Sequence, residues 1–84
     1  MQGGMESIEI LNKINNIFAL VLENQRLTLT RESVITNVEG WDSFTNIKLI
    51  LTMEKQFQLN FNTFEIQACR NIGDLCDTIQ RKLT

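Results

Sequence analysis

A small all-α bundle is the fold this sequence predicts: three longer helices, one short helix, and a long loop between helices 1 and 2. Three observations predict it. Apolar residues recur at spacings of three and four over three separate stretches. The one alternating, strand-like segment, Thr28-Leu29-Thr30, stands alone and has no second strand to pair with. The chain has 84 residues, 43% of them hydrophobic, which fits one compact core and one domain.

The first helix is expected from about Ser7 to Glu23. Ile10, Ile14, Ile17 and Val21 form its stripe, with Glu9, Asn12, Lys13 and Asn16 on the other side. Residues 24–40 read as a loop pinned to the core by Val34, Ile35 and Val38, with a short turn starting near Ser33. After Gly40-Trp41 a second helix begins, capped by Asp42 or Ser43. Its expected stripe is Phe44, Ile47, Ile50, Leu51 and Phe57, with Leu49 and Met53 on the flank, so Ile47 and Leu51 are expected to meet Ile79 in the core. Thr63–Gln67 reads as a short helix capped by Asn62 or Thr63, and Phe57, Phe61 and Phe64 as core residues. The last helix opens at Asn71, with Asp74 three residues on in a near relative of the capping box. Ile72, Leu75, Cys76, Ile79 and Leu83 follow, and Arg81 and Lys82 suit the negative end of the helix dipole. Residues 1–6 read as a leader without the basic and apolar regions of a signal peptide, and residues 7–84 as a single domain.

Composition narrows the chemistry. There is no histidine, which removes triads with a His base, His metal sites and imidazole switches. The net charge of -2 and the lack of any basic helix argue against nucleic-acid binding. No apolar run reaches membrane-spanning length. Cys69 and Cys76, without His, cannot complete a usual zinc site, so they read as reduced, buried thiols. No metal site, nucleic-acid partner or membrane partner is therefore expected. Phosphate-loop, dinucleotide and calcium-loop patterns are all absent.

One local arrangement stands out. Gly40-Trp41-Asp42-Ser43-Phe44 places a serine hydroxyl where a long loop meets the first turn of an amphipathic helix. A phosphate attached there faces free backbone N–H groups and the positive end of the helix dipole. Taken alone, the stretch reads first as an ordinary helix cap, since Ser and Asp are the commonest capping residues.

The chain resembles the acyl carrier proteins, the phosphopantetheine-binding carrier family. The family's Asp-Ser-Leu motif stands here as Asp42-Ser43-Phe44. The apolar ladder and the later Glu and aromatic stand as Ile47, Ile50, Leu51, Glu54 and Phe57, and the opening of the last helix as Asn71-Ile72-Gly73-Asp74-Leu75. The resemblance covers Ser7 to Leu83. It implies that Ser43 carries a covalent 4'-phosphopantetheine arm, installed from coenzyme A by a magnesium-dependent phosphopantetheinyl transferase, with Asp42 assisting attachment. The chain is then a non-catalytic carrier of thioester-bound acyl groups. Its implied partners are an acyl-loading or adenylating enzyme and a ketosynthase, acyltransferase or other acyl-processing enzyme. A cytoplasmic monomer is expected.

Departures from the fatty-acid members point elsewhere in pathway. Those members carry a strongly acidic second helix, whereas this one offers Asn46, Lys48, Thr52, Lys55 and Gln56, with Glu54 as its acid. Phe44 stands where leucine is usual, and the proline common near the third helix is absent. A specialised polyketide or nonribosomal-peptide-type pathway is the expectation. A fatty-acid carrier and an unmodified helical interaction adaptor are the alternatives. Docking is expected through Trp41, Phe44, Ile47 and Lys48, with Trp41 read either as an exposed anchor or as a residue folded over the loop.

Overall fold

A computed structural model describes residues 5–83. Four α-helices follow one another: α1 Ser7–Val21, α2 Ser43–Phe57, α3 Thr63–Ala68 and α4 Ile72–Leu83, with a 3-10 turn at Ile35–Asn37 inside the α1–α2 loop. Thr28–Thr30 is not a strand, and the one β-like pairing among the described residues is an isolated bridge between Val34 and Asn71. Of the leader expected over residues 1–6, residues 1–4 lie outside the described residues. Met5 packs partly buried against the core, and its carbonyl accepts the Gln80 side-chain N–H at 3.3 Å.

Helix ends follow local chemistry. Glu6 caps α1 and its N–H is taken by Glu9 at 3.0 Å. The helix stops at Val21, two residues before the expected end, because Glu23 enters the left-handed region at φ 53°. Asn62 and Glu65 cap α3 reciprocally, Asn62 accepting from Glu65 N–H at 2.8 Å and Glu65 from Asn62 N–H at 2.9 Å. At α4, Asn71 accepts from Asp74 N–H at 2.7 Å, while Asp74 takes the N–H of Arg70 at 3.1 Å.

The core gathers Ile10, Ile14, Ile17 and Phe18 of α1, Leu49, Met53 and Phe57 of α2, and Ile72, Leu75, Cys76 and Ile79 of α4. The expected register of α2 is corrected here. Leu49, Met53 and Phe57 point inward, whereas Ile47 and Leu51 are 58% and 59% exposed and do not reach Ile79. The helix is apolar on two faces, so 3.6-residue periodicity supports either register, and packing on α1 decides. Phe64 is likewise corrected: at 82% exposure it is outside the core, because six-residue α3 turns Ile66 inward and Phe64 sits about 200° away from it.

The long loop is ordered by anchors that side-chain periodicity does not reveal. Asn15 of α1 accepts Leu29 N–H at 2.6 Å and donates to Leu29 C=O at 3.1 Å, imitating a strand partner with one amide. Leu29 is buried beside Val38, while Val34, expected as an anchor, is exposed, its backbone being the part that pairs. The loop also closes the start of α4. Gly73 N–H donates to Arg31 C=O at 2.8 Å and Ile72 N–H to Ser33 C=O at 2.9 Å, which satisfies two donors a helix start leaves free. Arg31 then forks onto both Asp77 oxygens at 3.0 Å and onto the Ser7 hydroxyl at 3.2 Å, joining loop, α4 and α1. Ser33 accepts Thr30 N–H at 2.9 Å, and the 3-10 turn begins two residues later.

Candidate functional site at the start of α2

Gly40 supplies a φ of +90° that turns the loop into α2, a backbone state costly for residues with a Cβ. Asp42, extended, then caps the helix. Its carboxylate accepts Thr45 N–H at 2.8 Å, and Thr45 Oγ1 accepts Asp42 N–H at 2.9 Å. The choice between Asp42 and Ser43 as cap is thereby resolved in favour of Asp42. Ser43 becomes the first helical residue. Its side chain is exposed and its hydroxyl makes no hydrogen bond among the described residues.

The electrostatics match that division of labour. The Thr45 backbone N–H holds the Asp42 carboxyl below its ordinary range, helped by the Thr45 hydroxyl, the Phe44 N–H and the charge of Lys48, against a smaller opposing loss of water. Asp42 is therefore ionised at neutral pH, one residue from a free hydroxyl.

Trp41 is half-buried against the core, and its indole N–H donates to Asn46 Oδ1 at 3.2 Å. It folds over the loop, and this contact joins residues on either side of Ser43. Behind it lies a cavity of about 250 Å³ between α2, α3 and the 3-10 turn, lined by Trp41, Asn46, Ile50, Met53, Ile66 and Cys69 among others. Phe44 and Ile47 project outward instead, at 66% and 58% exposure, and the Lys48 ammonium sits 4.8 Å from the centre of the Phe44 ring. Of the residues singled out from sequence, Asp42 and Ser43 thus occupy the helix start, Phe44, Ile47 and Lys48 the outer face, and Trp41 the cavity wall. Sequence reasoning missed Thr45 and Asn46. The Thr three residues after the Asp was the available sign of the first, whereas the second depends on a tertiary contact.

The two thiols are free. Burial pushes both Cys69 and Cys76 above the ordinary thiol value, and Cys69 is further placed by a 3.6 Å contact with the Thr78 hydroxyl. No group of three or more metal-ligating side chains occurs among the described residues, and no helix there is long and apolar enough to cross a membrane.

The Ser43 position fits a phosphodiester. The hydroxyl is exposed, unengaged and at the positive end of a 15-residue helix whose cap is already supplied by its neighbour. No family model matches the chain. An acyl carrier protein of Porphyromonas gingivalis is 27% identical over 75 residues, covering 89% of this chain and 96% of that protein. The solution structure of holo acyl carrier protein from Geobacter metallireducens superposes with a TM-score of 0.80 at 32% identity, covering 87% of this chain and 84% of that one. Holo acyl carrier protein from Nitrosomonas europaea gives a TM-score of 0.74 at 28% identity over 86% of this chain and 93% of that one. With a four-helix layout shared over most of both chains, and identity above 30% to one of these carriers, the chain belongs to the acyl carrier protein family.

Proposed function

We propose that this chain carries acyl groups as thioesters on a 4'-phosphopantetheine arm attached to Ser43. The observation that carries the reading is the free, exposed Ser43 hydroxyl on the first turn of α2, with the capping duty taken by Asp42. In the attachment reaction the Ser43 oxygen loses its proton and bonds to phosphorus, and coenzyme A releases adenosine 3',5'-bisphosphate. The arm supplies a terminal thiol that holds the acyl group.

The chain's own residues then have separate duties. The N-terminal end of α2 favours the phosphodiester's negative charge. Asp42 fixes the helix start and assists attachment. Trp41, Asn46 and Ile50 edge the cavity, which offers partial shelter to the start of an acyl chain. Phe44, Ile47 and Lys48 form a docking face. The domain performs no bond chemistry itself, and the tether raises the local concentration of cargo at each partner. A phosphopantetheinyl transferase and acyl-loading and acyl-processing enzymes are the partners this implies, met in the cytoplasm. A specialised polyketide or nonribosomal-peptide-type pathway is favoured because α2 carries Lys48 and Lys55, with Glu54 as its acid. Glu54 in turn is engaged, accepting Phe61 N–H at 2.8 Å.

The test is incubation with coenzyme A, magnesium and a promiscuous phosphopantetheinyl transferase, read by intact mass. One phosphopantetheinyl group should add to the native chain and none to Ser43→Ala, with helical content nearly unchanged. Loading of the alanine variant rejects Ser43. Failure of the folded native chain to load favours the unmodified adaptor.

A further inference from the structure

We infer that the cavity behind Trp41 selects short acyl cargo bearing a hydroxyl or keto oxygen on its chain, and that Asn46 is the residue that makes the selection. This rests on the carrier reading for attachment of the cargo at Ser43, and on the cavity's own lining for its size and polarity.

The cavity of about 250 Å³ has an apolar floor that includes Phe18, Leu49 and Leu75, all buried in the core. The rest of its lining is partly polar. Exposed Thr36 and Gln67 bring it to the surface, and half-buried Asn46 stands beside Trp41. The indole N–H of Trp41 can only donate, so the Asn46 atom that faces it at 3.2 Å is the amide oxygen. That contact fixes the orientation of the amide and leaves its N–H2 group without an acceptor among the described residues. The Thr36 hydroxyl and the Gln67 amide are likewise unengaged there. Asn46 follows Ser43 by three residues of α2, which makes the two side chains neighbours on the helix surface. Cargo tethered at Ser43 therefore meets Asn46 where it meets the cavity.

Room and polarity together name the cargo. At about 30 Å³ for each water-sized group, the cavity takes about eight heavy atoms of an acyl chain. A longer chain has to push into Phe18, Leu49 and Leu75, which are packed in the core and yield only at a cost. A plain alkyl chain of the right length strips water from the Asn46 N–H2 group and offers nothing in return. A hydroxyl or keto oxygen on the chain replaces that water with a direct acceptor. A site with a waiting donor rejects the analogue that lacks the acceptor more strongly than an apolar site tells two alkyl chains apart. The thioester carbonyl is common to all cargo and gives no preference, so the further oxygen decides.

The test loads the chain from hexanoyl-, 3-hydroxyhexanoyl- and dodecanoyl-coenzyme A with a promiscuous phosphopantetheinyl transferase, and intact mass checks each product. Hydroxylamine cleavage then reads shelter, as the rate on the same acyl-pantetheine free in solution divided by the rate on the protein. The 3-hydroxyhexanoyl group should be protected about 3- to 10-fold more than hexanoyl, and dodecanoyl no more than hexanoyl. The side-chain N–H2 resonances of Asn46 should move with 3-hydroxyhexanoyl and stay in place with hexanoyl. Asn46→Leu should abolish the preference at similar side-chain volume. Trp41→Phe keeps the apolar wall and frees the amide to turn, so the preference should fall there too, with melting curves to check that both variants fold. Equal protection of hexanoyl and 3-hydroxyhexanoyl, best protection of dodecanoyl, or an undiminished preference in folded Asn46→Leu overturns the selection while leaving attachment at Ser43 standing. A chain that accepts no arm overturns the carrier reading, and the selection with it.

Discussion

Replacing Leu49 and Leu51 separately by alanine distinguishes the two faces of α2. The same atoms are deleted from the same helix two residues apart, so helix propensity changes equally in both. Leu49 is 1% exposed and packed among α1 and α4 residues, and Leu51 is 59% exposed. Removing a buried leucine side chain loses its transfer free energy and leaves a cavity, about 2–5 kcal/mol together. For a domain of this size each kcal/mol lowers the midpoint by about 4–8 °C. Leu49→Ala should therefore melt about 8–40 °C below the native chain, or fail to fold, given a total stability of about 5–15 kcal/mol. Leu51→Ala gives up packing that is already mostly solvent contact and should cost less than about 1 kcal/mol, a shift below about 8 °C. Thermal melts followed by circular dichroism at 222 nm, with matched urea titrations, read both variants. A Leu51→Ala loss equal to or larger than the Leu49→Ala loss would refute this placement of α2 and with it the docking face.

Three further outcomes follow from the contacts. Gly73→Ala sets a Cβ 3.0 Å from the Arg31 carbonyl oxygen and 3.2 Å from its Cβ, and that carbonyl is held by the Gly73 N–H itself. Strain should outweigh the gain in helix propensity, with a net loss of about 1–2 kcal/mol in urea titration. Asp42 and Glu65 are both held below their ordinary values, Asp42 mainly by the Thr45 N–H and Glu65 mainly by Lys82 at 2.8 Å. Their stabilising contribution is complete above the unfolded pKa of about 4 and is lost as pH falls through the lower folded values. The melting difference between native and Asp42→Asn proteins at pH 7 should accordingly shrink by pH 2. Because burial raises both cysteine thiols, iodoacetamide at pH 7 should alkylate the arm thiol of the loaded protein well before Cys69 or Cys76, as peptide mapping would show.

Much of this fold is legible in sequence because its punctuation is local. Asn62 with Glu65, Asn71 with Asp74, and Asp42 with Thr45 each satisfy helix-start N–H groups within a few residues, so the starts of α2, α3 and α4 follow from side-chain type and spacing. The inward face of α1 is equally plain, since Ile10, Ile14 and Ile17 line it while Glu9, Asn12, Lys13 and Asn16 stand on the other side, with Ile8 and Leu20 as exposed apolar exceptions. α2 is different: with apolar residues at Phe44, Ile47 and Leu51 as well as at Leu49, Met53 and Phe57, nothing in the helix alone says which stripe meets the core. The misassignment of Phe64 has the same origin in a helix too short to display a period. Leu29 escaped notice because its anchor is the amide of Asn15, fourteen residues away. At the site, Asp42-Ser43 was readable as a local motif, whereas the position of Trp41 is set by Asn46 and the cavity wall behind it.

The central claim is that Ser43 carries the arm and the arm carries the cargo. It is tested most directly by mass spectrometry of the protein purified from its native host under conditions that preserve thioesters, with fragmentation to locate the modification. A phosphopantetheinyl group is expected on Ser43 and no other residue, part of it bearing an acyl mass removed by hydroxylamine. A chain that is folded, abundant and wholly unmodified at Ser43, or modified at a different residue, would contradict it.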